Sequence, residues 1–157
     1  MLFGRRRWDS QPATPAGVLL ASSGDAFSSE AIRRARELAA GQPVAVLSIL
    51  KVYGSSFGLP SPGLMPTPRE RDQQMAIVQR AISALERKGC EADGQIAATR
   101  SAGRTIAKVA RARHVRYVVM DDHPASGVRR VMEGAVTAIV RRRLNRETEL
   151  ELVPAGR

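Results

Sequence analysis

The chain has 157 residues, of which 43% are hydrophobic, and this predicts one compact domain with its own core. Its single cysteine excludes an internal disulfide, and the lack of an apolar run of about 18 residues excludes a membrane-spanning helix, so we expect a cytoplasmic protein. The formal net charge of +10 comes mostly from arginine and fits either binding of nucleic acid or another polyanion, or simply a solvated basic surface.

The chain opens with a basic stretch, residues 1–16, that contains Arg5, Arg6, Arg7 and Trp8. A secretory signal has its charges before a longer apolar region, and here that order is reversed. We therefore expect a flexible basic leader. Docking on an anionic membrane and stacking on single-stranded nucleic acid are the alternatives.

After the leader, short apolar runs alternate with segments of helical period. Most of these runs are apolar on both faces, as is typical of parallel strands covered by helices on either side. The predicted strands are residues 17–22, 44–52, 93–99, 117–120 and 147–153. The first predicted helix starts at Ser28 or Ser29 and is ended by Gly41, and the other three helices span residues 69–88, 103–113 and 127–143. The predicted fold class is α/β: a single doubly wound domain over residues 17–153, with a five-stranded, mostly parallel sheet and helices on both faces.

Two segments depart from this regular pattern. Residues 147–153 alternate glutamates with Thr148, Leu150 and Leu152, which predicts an edge strand with one solvated face, followed by a tail at 154–157. Residues 54–68 are rich in Gly, Ser and Pro, so they predict an irregular loop that serves as a mobile flap or an interface element.

The fourth predicted strand leads directly into the polar residues Asp121, Asp122 and His123. In doubly wound folds, ligands lie at the carboxyl ends of strands. Histidine and carboxylates can bind a metal or carry protons, but adjacent residues rarely converge on one ion. We therefore favour a helix-capping loop over a metal or acid/base site.

The sequence contains no recognisable catalytic constellation. Cys90 follows a helix stop and is expected to pack rather than react, and His114 is expected to contact the last carbonyls of a helix. Ser22, Ser23 and Ser28 lie in a strand-to-helix loop without a Gly-x-Ser-x-Gly elbow. We expect neither an enzyme nor a metal site.

The order of elements, with its long insert after the second strand, resembles the universal stress protein family over residues 17–153. Three segments carry the resemblance: residues 18–24 with Ser28, the run Gly103-Arg104-Thr105-Ile106, and the stretch from Val118-Val119-Met120 to Gly134-Ala135-Val136. The resemblance implies a nucleotide pocket whose positions in this chain are Ser23, Gly103, Arg104, Asp121, Pro124, Gly134 and Ala135.

Several of these pocket positions depart from the family's pattern. The pattern of Gly, two residues, Gly, nine residues, Gly and then Ser or Thr falls on Asp121, Pro124, Gly134 and Ala135, and the family's acidic residue after the first strand falls on Ser23. A carboxylate at Asp121 repels phosphate, Pro124 has no N–H, and Ala135 has no hydroxyl. The resemblance therefore implies a degenerate pocket.

These observations favour a non-catalytic universal stress-like protein without a cofactor, which acts through dimerisation and contact with an unidentified protein partner. One alternative is a stress sensor that binds ATP, another adenine nucleotide or a cyclic nucleotide. Another is polyanion binding through Arg129, Arg130 and Arg141 to Arg143. The resemblance also implies a homodimer joined at the C-terminal strands, whose glutamates repel unless Arg143 or Arg146 lies between them.

Overall fold

The computed structural model describes residues 14–52, 66–122 and 128–154, and in the last helix its side chains from residue 135 onward. The strands are β1 (Val18–Ser22), β2 (Val44–Lys51), β3 (Ala92–Thr99), β4 (Tyr117–Asp122) and β5 (Glu149–Pro154). The helices are α1 (Ser29–Ala39), α2 (Pro68–Arg87), α3 (Ala102–Ala112) and α4 (Val128–Arg143). The predicted fold class is confirmed, because the five strands form one sheet in which every pairing is parallel.

Helix starts follow from local capping. Ser28 is the N-cap of α1, and its hydroxyl oxygen accepts the N–H of Ala31 at 3.0 Å. Thr67 and Glu70 form a reciprocal capping box at the start of α2, with Pro68 as the first helical residue. The helix therefore starts inside the segment that was predicted to be loop. Within the described part of the chain, no helix is both long and apolar enough to cross a membrane.

The strand order is β3-β2-β1-β4-β5, so the chain moves outward from β1 in one direction and then returns to its other side. Helices α1 and α2 cover one face of the sheet, where their side chains pack on Leu20, Val46 and Val119. Helices α3 and α4 cover the other face and pack on Leu47 and Met120, among others. The central strands are buried on both faces, which explains why their sequences are continuous apolar runs.

Two strands have an end that differs by two residues from the sequence prediction, whereas the bounds of the other three differ by one residue. β4 does not end at Met120 but continues to Asp122, because Asp121 and Asp122 pair with Val153 and Pro154 of β5. β5 starts at Glu149 rather than at residue 147. Strand pairing across the sheet thus extends β4 beyond its apolar run.

The start of the domain also differs from the prediction. Residues 1–13 lie outside the described residues, but Ala16 is buried and its N–H donates to the carbonyl of Arg113 at 2.9 Å. The guanidinium of Arg113 in turn donates to the carbonyl of Thr14. Residues 14–16, which the sequence analysis assigned to the leader, are therefore attached to the domain.

Helices α2 and α3 end in the same hydrogen-bond pattern, with Gly89 and His114 at the equivalent left-handed position. The φ angle is +79° at Gly89 and +52° at His114. His114 contacts the last turn as expected, because its backbone N–H donates to the carbonyl of Arg111 at 3.2 Å. A left-handed conformation costs roughly 1–2 kcal/mol for a residue with a side chain.

We expect His114→Gly to raise the free energy of unfolding by about 0.5–1 kcal/mol, because relief of this strain exceeds the added entropy of glycine in the unfolded chain. Urea denaturation monitored by circular dichroism measures the change. Gly89→Ala is the matched control and should lower stability by about 1 kcal/mol, since it introduces the same strain. A loss of stability in His114→Gly would contradict this account.

Candidate functional site

A crevice lies between the carboxyl ends of β1 and β4. The two strands pair only from Val18 with Tyr117 to Leu20 with Val119, although both continue beyond these residues. The loop after β1 leads to one face of the sheet, and the segment after β4 leads to the other. This is the position at which open α/β sheets bind ligands.

Asp121 spans this crevice. One oxygen of its carboxylate accepts the backbone N–H of Ser28 at 2.9 Å, and the other accepts the hydroxyl of Ser28. Because Ser28 is the N-cap of α1, this places a negative charge at the positive end of that helix. A helix-capping role was predicted for the loop that begins with Asp121, and the contact that the structure shows for Asp121 is at the start of α1, the helix after β1.

A second set of contacts holds the same loop from the side of α2. The hydroxyl of Ser48, fully buried on β2, donates to the Gln74 side-chain oxygen, and the Gln74 amide donates to the carbonyl of Gly24 at 2.9 Å. Ser22 donates its hydroxyl to the carbonyl of Asp25 at 2.5 Å and accepts the N–H of Gly24 at 3.2 Å. The loop from β1 to α1 is therefore fixed at both ends.

The sequence analysis did not select Gln74 or Ser48. Ser48 stands alone among apolar residues of a buried strand, and a buried hydroxyl requires a hydrogen-bond partner. That rule would have marked Ser48 as a polar position of interest. No signal in the sequence pointed to Gln74 as its partner.

The structure distributes the predicted pocket positions over several places. Ser23 is half-buried in the loop after β1, close in the chain to the Ser28–Asp121 contact, whereas Arg104 and Ala135 are exposed on α3 and α4. Gly134 lies within α4, and Pro124 lies outside the described residues.

Gly103 has a packing role that the sequence did not reveal. It is buried at the start of α3, and a methyl group on its Cα would lie 2.8 Å from Cβ of Ile139 in α4. Only a residue without a side chain lets the two helices approach this closely. The glycine is therefore explained by helix packing.

No group of three His, Cys, Asp or Glu side chains with metal-binding geometry occurs among the residues that the structure describes. Asp122 is exposed, and His123 lies outside the described part. Burial raises the pKa of Cys90, while nearby Arg36 lowers it by a smaller amount, so the net change favours the thiol over the reactive thiolate.

The fold and the crevice together define a doubly wound parallel α/β protein with a crevice at its topological switch point, where open sheets of this kind bind ligands. The model of the universal stress protein family matches residues 17–146, which is most of the chain, and the chain therefore belongs to this family. The resemblance inferred from the sequence is confirmed. None of the curated protein sequences matches this chain.

Solved structures of the same family have the same fold. A universal stress protein from Archaeoglobus fulgidus in complex with dAMP has a TM-score of 0.60 at 17% identity, covering 90% of this chain and 98% of its own. A universal stress protein in complex with cAMP has a TM-score of 0.63 at 16% identity, covering 91% and 100%. A family member from Arabidopsis thaliana with AMP bound has a TM-score of 0.55 at 13% identity, covering 90% and 93%.

Proposed function

We propose that this chain is a non-catalytic universal stress protein whose crevice is filled by its own polar side chains, and that it acts by self-association and contact with a protein partner. The single observation that carries the proposal is that the Asp121 carboxylate accepts two hydrogen bonds from Ser28, the N-cap residue of α1.

The Asp121 carboxylate opposes nucleotide binding in two ways. It uses the N–H and hydroxyl of Ser28, two donors that face the crevice. It also adds a negative charge where a phosphate would have to approach, and two like charges about 4 Å apart repel by roughly 4 kcal/mol at an effective dielectric constant of 20. Three further pocket positions, Ser23, Pro124 and Ala135, lack the groups that the family's pattern would supply.

The alternative is that an adenine nucleotide still binds. The dAMP, cAMP and AMP complexes of the structural neighbours favour it, since those proteins have the same fold. In this alternative Asp121 would have to release Ser28 and turn away from the phosphate. The two functions therefore differ in the effect of the Asp121 charge.

Two measurements decide between these functions. Mass spectrometry of small molecules released from the denatured, purified full chain should find no adenine nucleotide in stoichiometric amount. Titration calorimetry with magnesium ATP, AMP and cAMP should find affinities weaker than about 1 mM, which corresponds to a binding free energy of about −4.1 kcal/mol. Micromolar binding to the wild-type protein would overturn the proposal.

A pair of matched variants tests the reason for this weak binding. Asp121→Asn keeps the size of the side chain and one acceptor oxygen for the N–H of Ser28, replaces the other oxygen with an amide donor, and removes the charge. It should strengthen ATP binding by about tenfold or more. Asp122→Asn makes the same change at the neighbouring, exposed residue and should have little effect. Equal effects of the two substitutions would show that Asp121 does not control the crevice.

The proposed self-association uses β5, which lies at an edge of the described sheet. The N–H of Glu149 donates to the carbonyl of Arg116 at 2.8 Å. Successive peptide groups of a strand point in opposite directions, so the N–H groups of Leu150 and Leu152 point away from β4 and are available to a second copy. Repulsion between glutamates is reduced because Glu151 pairs with Arg34 of its own chain at 2.9 Å.

Light scattering of the full chain should therefore give the mass of a dimer. Leu152→Pro removes an outward N–H without removing a bond to β4, so it should give a monomer that circular dichroism shows to be folded. Leu152→Ala loses the same leucine side chain but keeps the N–H, and it should remain a dimer. A monomeric wild type, or the same mass for both variants, would contradict an interface at β5.

A further inference from the structure

Helix α3 carries a stripe of basic side chains on its exposed side. Arg104, Lys108 and Arg111 are all exposed, and their spacing of four and then three residues places them in one row along roughly 10 Å of the helix. The helix contains no acidic residue. The row therefore presents positive charge without a compensating carboxylate on the same helix.

The last turn of α4 extends this charge. Gly103 packs directly against Ile139, so the first turn of α3 lies beside the part of α4 that leads into three exposed arginines. We call the combined surface the α3–α4 basic face, and it consists of Arg104, Lys108, Arg111, Arg141, Arg142 and Arg143. Both helices cover the same side of the sheet, so these exposed side chains belong to the same helix layer of the domain.

The opposite layer of the protein is electrostatically different. In α1, Glu37 forms ion pairs with Arg33 at 3.9 Å and with Arg34 at 3.4 Å. Arg34 also donates a hydrogen bond to Glu151 of β5, and this bond raises the pKa of Arg34. Across the described residues, the ion pairs involve α1 or the Arg113–Asp93 contact, and none involves the α3–α4 basic face. Carboxylates thus neutralise part of the positive charge of α1, whereas the six basic side chains of the α3–α4 basic face have no acidic partner among the described residues.

We propose that the α3–α4 basic face binds the phosphate backbone of nucleic acid without regard to sequence. Five of its six basic residues are arginines, whose planar guanidinium groups match phosphate oxygens in pairs. A row of charges about 10 Å long faces several phosphates, because duplex DNA carries one charge per roughly 1.7 Å of its axis.

The residues between the arginines favour this partner over a membrane or a protein. Among the described side chains of α3 and α4, every other exposed position is an alanine, at Ala112, Ala135 and Ala138, and the larger apolar side chains are at least partly buried. Membrane-surface helices insert large apolar side chains, and protein interfaces have aromatic or aliphatic anchors at their centres. The exposed residues of the α3–α4 basic face include no large apolar side chain and no aromatic anchor. Its exposed charges suit a phosphate backbone instead.

Fluorescence anisotropy with a short labelled duplex of mixed sequence tests the proposal on the full chain. Affinity should fall steeply between about 50 and 200 mM salt, and a second duplex of unrelated sequence should bind equally well. The triple variant Arg104→Ala, Lys108→Ala and Arg111→Ala should bind about tenfold or more weakly, and its log–log salt slope should be shallower by about 2–3, at roughly 0.9 per lost phosphate contact.

The matched control removes three exposed charges from the other layer, through Arg71→Ala, Arg80→Ala and Arg87→Ala in α2. Both triple variants have the same net charge, so only the control should keep nearly wild-type affinity. A second test variant, with alanine at residues 141–143, should reproduce the loss seen for α3.

Four outcomes would overturn the proposal. These are no binding of the duplex even at low salt, equal losses in the two matched triple variants, a strong preference for one DNA sequence, and equal or tighter binding to polyglutamate or to vesicles of phosphatidylserine and phosphatidylcholine. The last outcome would assign the basic face to an acidic protein or an anionic membrane instead.

Discussion

Arg113→Ala should lower the free energy of unfolding by about 2–3 kcal/mol, because it breaks a buried ion pair with two hydrogen bonds. Arg113 is only 5% exposed, and its two terminal nitrogens donate to the two carboxylate oxygens of Asp93 at 3.0 and 2.8 Å. Its third donor binds the carbonyl of Thr14. One side chain therefore joins the end of α3, the start of β3 and the segment before β1.

The expected loss lies below the usual range of about 3–5 kcal/mol for a broken buried pair. The reason is that the side chain of Asp93 is 40% exposed, so water solvates part of the carboxylate that remains. Urea denaturation of the full chain measures the change. A double-mutant cycle with Asp93→Ala should give a coupling free energy of about 1–2 kcal/mol between the two residues.

Arg111→Ala is the matched control, since Arg111 lies in the same helix but is exposed. Its effect should stay within about 0.5 kcal/mol, as is usual for a surface substitution. If Arg113→Ala cost no more than this control, the ion pair would not contribute to stability. That result would leave the attachment of residues 14–16 to the domain without its main explanation.

Gly103→Ala should also destabilise the protein, by about 1–3 kcal/mol, although alanine is the better helix former. The added methyl group would lie 2.8 Å from both Cβ and Cγ2 of Ile139 and 3.1 Å from the carbonyl oxygen of Val136. Carbon atoms in contact are normally about 3.5–4.0 Å apart. The two helices therefore have to separate to accept the methyl group.

Thermal denaturation of Gly103→Ala, Ile139→Ala and the double variant tests this contact. The double variant should lose less stability than the sum of the single variants, because Ile139→Ala removes Cγ2, one of the two Ile139 atoms that the new methyl group would meet at 2.8 Å. A gain of stability in Gly103→Ala would mean that helix propensity outweighs packing at this site.

The sequence alone determined the fold class of this protein. Continuous apolar runs such as residues 44–47 belong to strands buried on both faces, and their alternation with helical segments leads to a doubly wound parallel sheet. The alternation of glutamate and leucine in β5 likewise marked an edge strand, and β5 lies at one edge of the sheet. These features are local, because they depend on residues a few positions apart in the chain.

The sequence also marked Asp121 as one of several departures from the family's pattern, together with Ser23, Pro124 and Ala135. What it did not provide was the partner of this carboxylate. Asp121 could equally have capped its own following helix, turned to solvent or faced a ligand, and each of these is compatible with the residues around it. The choice of Ser28 follows from the parallel packing of β4 beside β1.

Only the tertiary structure decided which polar side chains meet. The partners in the Asp121–Ser28, Ser48–Gln74 and Arg113–Asp93 contacts are 93, 26 and 20 residues apart in the chain. The close approach of Gly103 to Ile139 likewise joins two helices separated by a strand. Hydrophobic periodicity determines where a strand or helix lies but carries no information on distant hydrogen-bond partners, because these depend on the register and packing of the completed sheet.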